Sequence, residues 1–225
     1  MITIIIPCLN ERKNIDLIKK NITLFKKSNH LIVDGNSKDN SKLTFIKKKI
    51  NFIVTPASRG LQLRKGAEAS NTKWLLFLHA DTKLSKKNIS EIYSFISSKS
   101  FFKVGFFKIR FRKKLLMANF ISGWANLRTK IFKLPFGDQC LLISRQYYFK
   151  LGGHSKEKVM EDIEFIMRVP KKNRFLFKSK VSTSFRRFEK NGILLQGIIH
   201  LICQLMFLLN LKRSLIYKVY YRYDK

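Results

Sequence analysis

Ile2–Glu11 reads ITIIIPCLNE, an apolar run broken off by a proline and then by polar residues. A short run of this kind, with no polar alternation, is the signature of a strand buried on both faces. Three more follow at His30–Asp34, Asn51–Val54 and Trp74–Leu78. The intervening segments Glu11–Lys27, Asp39–Lys49 and Leu61–Ser70 carry apolar residues at helical spacing. Strands alternating with helices predict βαβ units and a mostly parallel sheet flanked by helices, an α/β fold.

Beyond residue 100 the pattern changes. Phe107, Ile109 and Phe111 alternate with Lys108, Arg110 and Arg112, as a half-buried strand does. A helix from Leu115 to about Phe132, a strand at Cys140–Ile143 and a helix from about Met160 to Val169 are expected next. The absence of an internal repeat or a Pro/Gly-rich linker predicts one domain over residues 1–190. Residues 191–225 are expected to form a C-terminal helical tail. Within it, 192–210 is a mostly apolar run in which Gln196, His200 and Gln204 share one helical face. An amphipathic helix lying on the core or in peripheral contact with a membrane fits this run at least as well as a membrane span. Lys212, Arg213, Lys218 and Arg222, with Tyr217, Tyr220, Tyr221 and Tyr223, reinforce that reading.

The 45% hydrophobic content excludes a disordered chain. The net charge of +32 favours anionic partners, but Lys and Arg are spread over nearly every segment, which is also how a solvated surface looks. Cys8, Cys140 and Cys203 show neither CxxC spacing nor a His at ligand spacing, so a disulfide framework and a structural zinc site are not expected. The N-terminus enters the first strand without a basic n-region, which predicts a cytoplasmic protein, at the inner face of the membrane if the tail binds lipid.

In open parallel sheets, ligands bind beyond the carboxyl ends of the strands. Here those ends are Pro7-Cys8-Leu9-Asn10-Glu11, Asp34-Gly35-Asn36-Ser37-Lys38-Asp39 and His79-Ala80-Asp81-Thr82. With these residues the chain resembles the family 2 glycosyltransferases, whose GT-A fold opens on I-P-x-x-N-E and continues through V-D-G-x-S-x-D. The resemblance extends through Gly137-Asp138-Gln139, Leu151-Gly152-Gly153, Met160-Glu161-Asp162-Ile163-Glu164 with Arg168, and Arg186-Arg187-Phe188. The spacing of Ser58-Arg59-Gly60 and Gln62 before Gly66-Ala67 is most similar to a bacterial subgroup associated with radical-SAM and selenium-domain proteins and linked to arsenosugar biosynthesis.

The resemblance implies an inverting transferase that moves a sugar from a nucleotide-diphosphate donor, a UDP- or GDP-sugar, to a hydroxyl on a small-molecule or lipid acceptor. It implies a nucleotide-sugar cleft at Pro7, Asn10, Glu11, Asp34, Ser37, Asp39, Gln62 and Ala80, with Arg59, Arg186 and Arg187 toward the diphosphate. A carboxylate offers paired acceptors to a base or a ribose, and a guanidinium suits phosphate oxygens. Asp81 matches the last carboxylate of the family's D-x-D motif, a ligand for Mg²⁺ or Mn²⁺, while His79 stands where many relatives have the first Asp. Asp162 of the Glu161-Asp162 pair is the expected general base, with Asp138 as a second acid or acceptor-binding group. Besides a nucleotidyltransferase on the same fold, whose Gly-rich basic loop after the first strand is replaced here by Pro7-Cys8-Leu9-Asn10-Glu11, two other readings compete: a basic nucleic-acid-binding protein, and a degenerate transferase kept as a sugar-nucleotide scaffold. No RNP-like motif, zinc finger or KH loop supports the former, and acids at strand ends repel phosphate unless a metal intervenes.

Overall fold

The computed structural model describes residues 1–98, 100–157, 159–209 and 211–221; Asn210, Arg222 and Tyr223 of the expected tail lie outside them. The chain begins β1 (Ile2–Cys8), α1 (Ile15–Thr23), β2 (Ser28–Asp34), α2 (Ser41–Lys47), β3 (Phe52–Val54), α3 (Arg59–Glu68) and β4 (Trp74–Phe77). These are the expected βαβ units, each within a few residues of its predicted bounds. There follow α4 (Lys86–Ser97), β5 (Val104–Phe111), α5 (Leu116–Phe132), β6 (Leu141–Ser144) and α6 (Arg145–Lys150). The chain closes with α7 (Glu161–Met167), β7 (Arg174–Thr183), α8 (Arg186–Asn191), α9 (Ile193–Leu208) and α10 (Arg213–Tyr221).

The strands form one seven-stranded sheet in the order β3-β2-β1-β4-β6-β5-β7. Only β6 runs against its neighbours, β4 and β5; the remaining pairs are parallel. β1 shows why its sequence reads as unbroken apolar residues. Ile4 and Ile6 face one layer with Ile18, Phe45 and Ile92, whereas Ile5 faces the other with Leu63, Phe165 and Ile166. Both faces of the strand are therefore withdrawn from water. α3 approaches this sheet closely at Gly66, where a Cβ would stand 2.4 Å from Ile5 Cγ2.

Arg168 braces the second half. It donates to Gly153 O at 2.6 Å, to Leu151 O and to Glu164 at 2.9 Å. That brace fixes the turn at Gly152 and Gly153, both at positive φ, against α7. α9 is mostly apolar, but among the described residues no helix is long and apolar enough to cross a membrane.

Candidate active site

The carboxyl ends of β1 and β2 are tied together before any ligand arrives. Ser37 donates to the buried Asp34 through its backbone N–H (2.9 Å) and its hydroxyl (2.5 Å). Asn10, held at a left-handed φ of 55°, donates its N–H to Ser37 Oγ at 2.8 Å and accepts from the Lys38 N–H at 2.8 Å. The Arg12 N–H reaches Asp39 Oδ2 at 2.8 Å. Gln62 is buried, and its amide nitrogen donates to Cys8 O at 2.8 Å and Val33 O at 2.7 Å. Gln62, expected in the nucleotide-sugar cleft, thus ties the two strand ends together through its amide nitrogen. Arg64 and Lys65 pair with Glu68 on the outer face of α3.

β4 delivers His79, Ala80 and Asp81 to the centre of the cleft. Ala80 is buried among the core residues behind it. Burial raises the Asp81 carboxyl, against the pull of Arg112, Arg186, Arg59 and Arg187. Burial likewise raises Glu11, which accepts from Asn14 Nδ2 at 2.6 Å and lies 3.4 Å from Arg186. Asp81 adds to the rise, so Glu11 and Asp81 stand within electrostatic reach of each other.

Arg59, in the first turn of α3, links the two halves. Its Nε lies 2.9 Å from Glu161 Oε1, and its Nη2 meets His79 Nε2. Burial works against the Arg59 cation, but Glu161 and then Asp162 outweigh it and raise its pKa. Burial, then Arg59, drives His79 well below its ordinary value, so the imidazole is neutral and accepts. Gly137 follows from this crowding, because a Cβ there would lie 2.0 Å from Arg59 Nη2 and 2.7 Å from His79 Nε2.

The Gly137–Gln139 turn and the start of α7 complete the cleft. The Gly137 N–H donates to Asp162 Oδ2 at 2.6 Å, and the Ile163 N–H to Asp162 Oδ1 at 2.8 Å. Burial pushes Asp138 up to about 6 despite Arg128, with Asp81 and Asp162 adding to the rise. Asp138 Oδ1 is buried with no hydrogen-bond partner among the described residues. Glu161, only 2% exposed, is pushed up to about 7 by burial, against Arg59 and reinforced by Asp162. Behind these groups lies a cavity of about 30 Å³ lined by Arg59, His79, Gly137, Cys140, His154 and Asp162, room for about one water.

The structure thus gathers Asp81, Asp138, Glu161, Asp162, Arg59 and His79 around one cleft, with Glu11, Arg186 and Arg187 at its rim. Pro7, Asn10, Asp34, Ser37 and Asp39 form the adjoining strand-end loops. Among the described residues no three His, Cys, Asp or Glu side chains converge as a ready metal cage. His79, which stands in the place of the family's first Asp, meets Arg59 Nη2 through its Nε2. Three residues went unforeseen: Arg112, whose Nη1 donates to Asp81 O at 2.5 Å, Arg128 and Tyr220. Tyr220 comes from α10, bonds Arg187, and lies near enough to Arg59, Glu161 and Asp162 to feel their charge. Its membership in a tyrosine-rich tail was visible, but nothing in its spacing pointed to the cleft.

A family model described as Glycosyl transferase family 2 matches residues 3–140. Solved structures are similar over nearly the whole chain. TarS of S. aureus, residues 1–349 in complex with UDP-GlcNAc, is 15% identical, with a TM-score of 0.63 over 99% of this chain and 71% of that one. The mannosyltransferase PcManGT from Pyrobaculum calidifontis, in complex with GDP-Man and Mn²⁺, is 13% identical, with a TM-score of 0.69 over 98% of this chain and 69% of that one. Glucosyl-3-phosphoglycerate synthase from Mycobacterium tuberculosis, with Mn²⁺, UDP and glucosyl-3-phosphoglycerate, is 13% identical, with a TM-score of 0.58 over 81% of this chain and 70% of that one. At such identity the likeness is one of fold, the GT-A fold. No curated protein sequence matches.

Proposed function

The chain belongs to glycosyl transferase family 2, and from that premise we propose that it moves a sugar from a nucleoside-diphosphate donor to an acceptor hydroxyl with inversion. The observation that carries this reading is the hydrogen bond from Gly137 to Asp162, which holds a carboxylate at the mouth of a cleft whose other wall is the strand-end loops. Each Asp162 oxygen accepts one backbone N–H and keeps a lone-pair site for a further proton. Asp162 is the general base: it takes the acceptor hydroxyl's proton while that oxygen attacks the anomeric carbon from the side opposite the departing diphosphate.

Asp34 and its Ser37 turn, with Pro7, Asn10, Glu11 and Asp39, hold the nucleoside. Arg186, Arg187 and Arg112 stand around Asp81 and offset the charge of the diphosphate. Glu161 fixes the Arg59 guanidinium and through it the orientation of His79.

The residues present fit a divalent cation at Asp81 and Asp138. Both carboxyls are raised by burial, Asp81 raises Asp138 further, and Asp138 Oδ1 is an orphaned buried acceptor. Oxygen donors suit Mg²⁺ or Mn²⁺, and an ion held there supplies positive charge to the leaving nucleoside diphosphate. The motif spacing around Arg59 and Gln62 supports membership in the radical-SAM-associated, arsenosugar-type subgroup.

Calorimetric titration with UDP and GDP, in Mn²⁺, in Mg²⁺ and in chelator, tests the reading. Metal-dependent binding of one diphosphate supports it. Metal-independent binding of every polyanion alike, falling steeply with salt, overturns it in favour of a nonspecific basic surface.

A further inference from the structure

Among the described residues, two helices outside the cleft leave apolar faces uncovered. Along α5, Ala118, Ser122 and Thr129 turn inward, and Asn126 donates to Ile109 O and accepts from its N–H, fixing this side to β5. On the opposite side Leu116, Phe120, Trp124, Leu127 and Ile131 follow one another at helical spacing, with Leu116 88%, Phe120 70% and Trp124 62% exposed. Seventeen residues make this stripe about 25 Å long. Isolated exposed apolar residues are ordinary, but a continuous stripe of this length is not. Lys113 and Lys114 precede it, and Lys130 and Lys133 lie at its far end.

α9 repeats the arrangement. Gln196, Ile199 and Cys203 are buried, while Leu194, Ile198, Leu201 and Leu205 are exposed. No charged residue occurs between Gly192 and Leu211, and cations bound the segment at Lys190, Lys212 and Arg213. The two helices meet where Ala118 and Ile121 of α5 and Ile193 of α9 pack with Phe185 and Phe188.

We propose that the α5 stripe, continued by α9, docks onto an anionic lipid surface. Charge selects this occupant. A second copy would bring another +32 to the contact, and a nucleic acid would lay phosphates against Phe, Leu and Trp. An acidic bilayer complements both parts at once, because acyl chains accept the stripe and head groups accept the lysines around it. α5 runs within a few residues into the Gly137–Asp138 turn, so docking sets the acceptor side of the cleft at the lipid surface. That last consequence rests on the transferase reading; the docking itself does not.

The chain carries its own probe. Of its two tryptophans, Trp74 is buried at 2% exposure and Trp124 stands in the stripe. Phosphatidylglycerol/phosphatidylcholine vesicles should shift the emission of the full chain to the blue, and Trp124→Phe should abolish the shift. Phe120→Gln with Leu127→Gln should weaken vesicle binding about tenfold or more. Both substituted side chains are exposed, so circular dichroism and melting should not change. Vesicle binding that salt removes completely, with no change in Trp124 emission, overturns the proposal by reducing it to charge attraction. Absence of vesicle binding, with lipid-free self-association that the double variant abolishes, overturns it in favour of a second copy. Neither readout requires turnover, so a failed transferase reading leaves this test intact.

Discussion

The Gly137 N–H points at Asp162 Oδ2 across 2.6 Å, joining a turn at the end of α5 to the first turn of α7, 25 residues away. The carboxylate is oriented by backbone N–H groups on both oxygens, Gly137 on Oδ2 and Ile163 on Oδ1.

Asp162→Asn keeps only one of these two bonds, because its amide carries a single acceptor oxygen where both carboxylate oxygens accept, and it loses the ability to take a proton. We expect turnover to fall by about 10²–10⁴-fold with nucleotide affinity retained, measured by product formation alongside calorimetry. A variant that keeps most of its turnover would remove Asp162 as the base.

Asp81→Ala should abolish the dependence of nucleotide affinity on added Mn²⁺ or Mg²⁺, leaving only the weaker attraction of Arg112, Arg186 and Arg187. Titration with and without chelator reads this directly. Unchanged metal dependence would place the ion elsewhere.

Gly60→Ala should destabilise the whole fold. The new Cβ would meet Ser155 O at 2.0 Å and Glu157 O at 2.8 Å, both backbone atoms, in a contact already closed by the bond from the Gly60 N–H to Glu157 O. Overpacking of this kind costs on the order of 3 kcal/mol. Urea denaturation measures it, and a midpoint equal to the wild type would mean that the loop at 155–157 yields freely.

The pH dependence of stability should carry the mark of Glu161. Its carboxyl rises from 4.5 to about 7 on folding, chiefly through burial, so the folded state holds a proton that the unfolded chain releases. Its contribution is complete below about 4.5, falls as pH climbs to about 7, and is level above that. Asp138, raised from 3.8 to about 6, adds in the same sense over its own window. In denaturation series across pH 4–8, Glu161→Gln should lose stability less steeply than the wild type between those limits; parallel curves would contradict the assignment.

β1 and β4 were legible because both faces of those strands are buried and leave an unbroken apolar trace, and β2 and β3 as short apolar runs between polar segments, although β3 is an edge strand. β7 was not: Arg174–Thr183 lies at the sheet edge, where Lys178 and Lys180 interrupt the pattern. α4 went unread although Ile89, Ile92 and Phe95 recur at helical spacing, since its cap pairs Ser85 with Asn88 instead of the Glu or Gln of the usual capping box. In the site, Asp138, Glu161 and Asp162 came from the family resemblance, whereas Glu11, Asp34, Asp39 and Asp81 stood out as polar residues ending apolar runs. The bond between Arg59 and His79 did not, because it depends on how α3 docks, and Tyr220 did not, because it returns to the cleft only through the packing of α10.

The strand order also bears on how the chain is made. β5 pairs only with β6 and β7, and β6 alone lies between it and β4. As the polypeptide emerges from the ribosome, β1 to β4 can assemble in the order of their synthesis, whereas Val104 and Gly105 must wait for Leu142 and Ile143 before a neighbouring strand exists. In that interval β5 has α5 against it but no partner strand on either edge, and that is a stage at which the nascent chain needs chaperone cover.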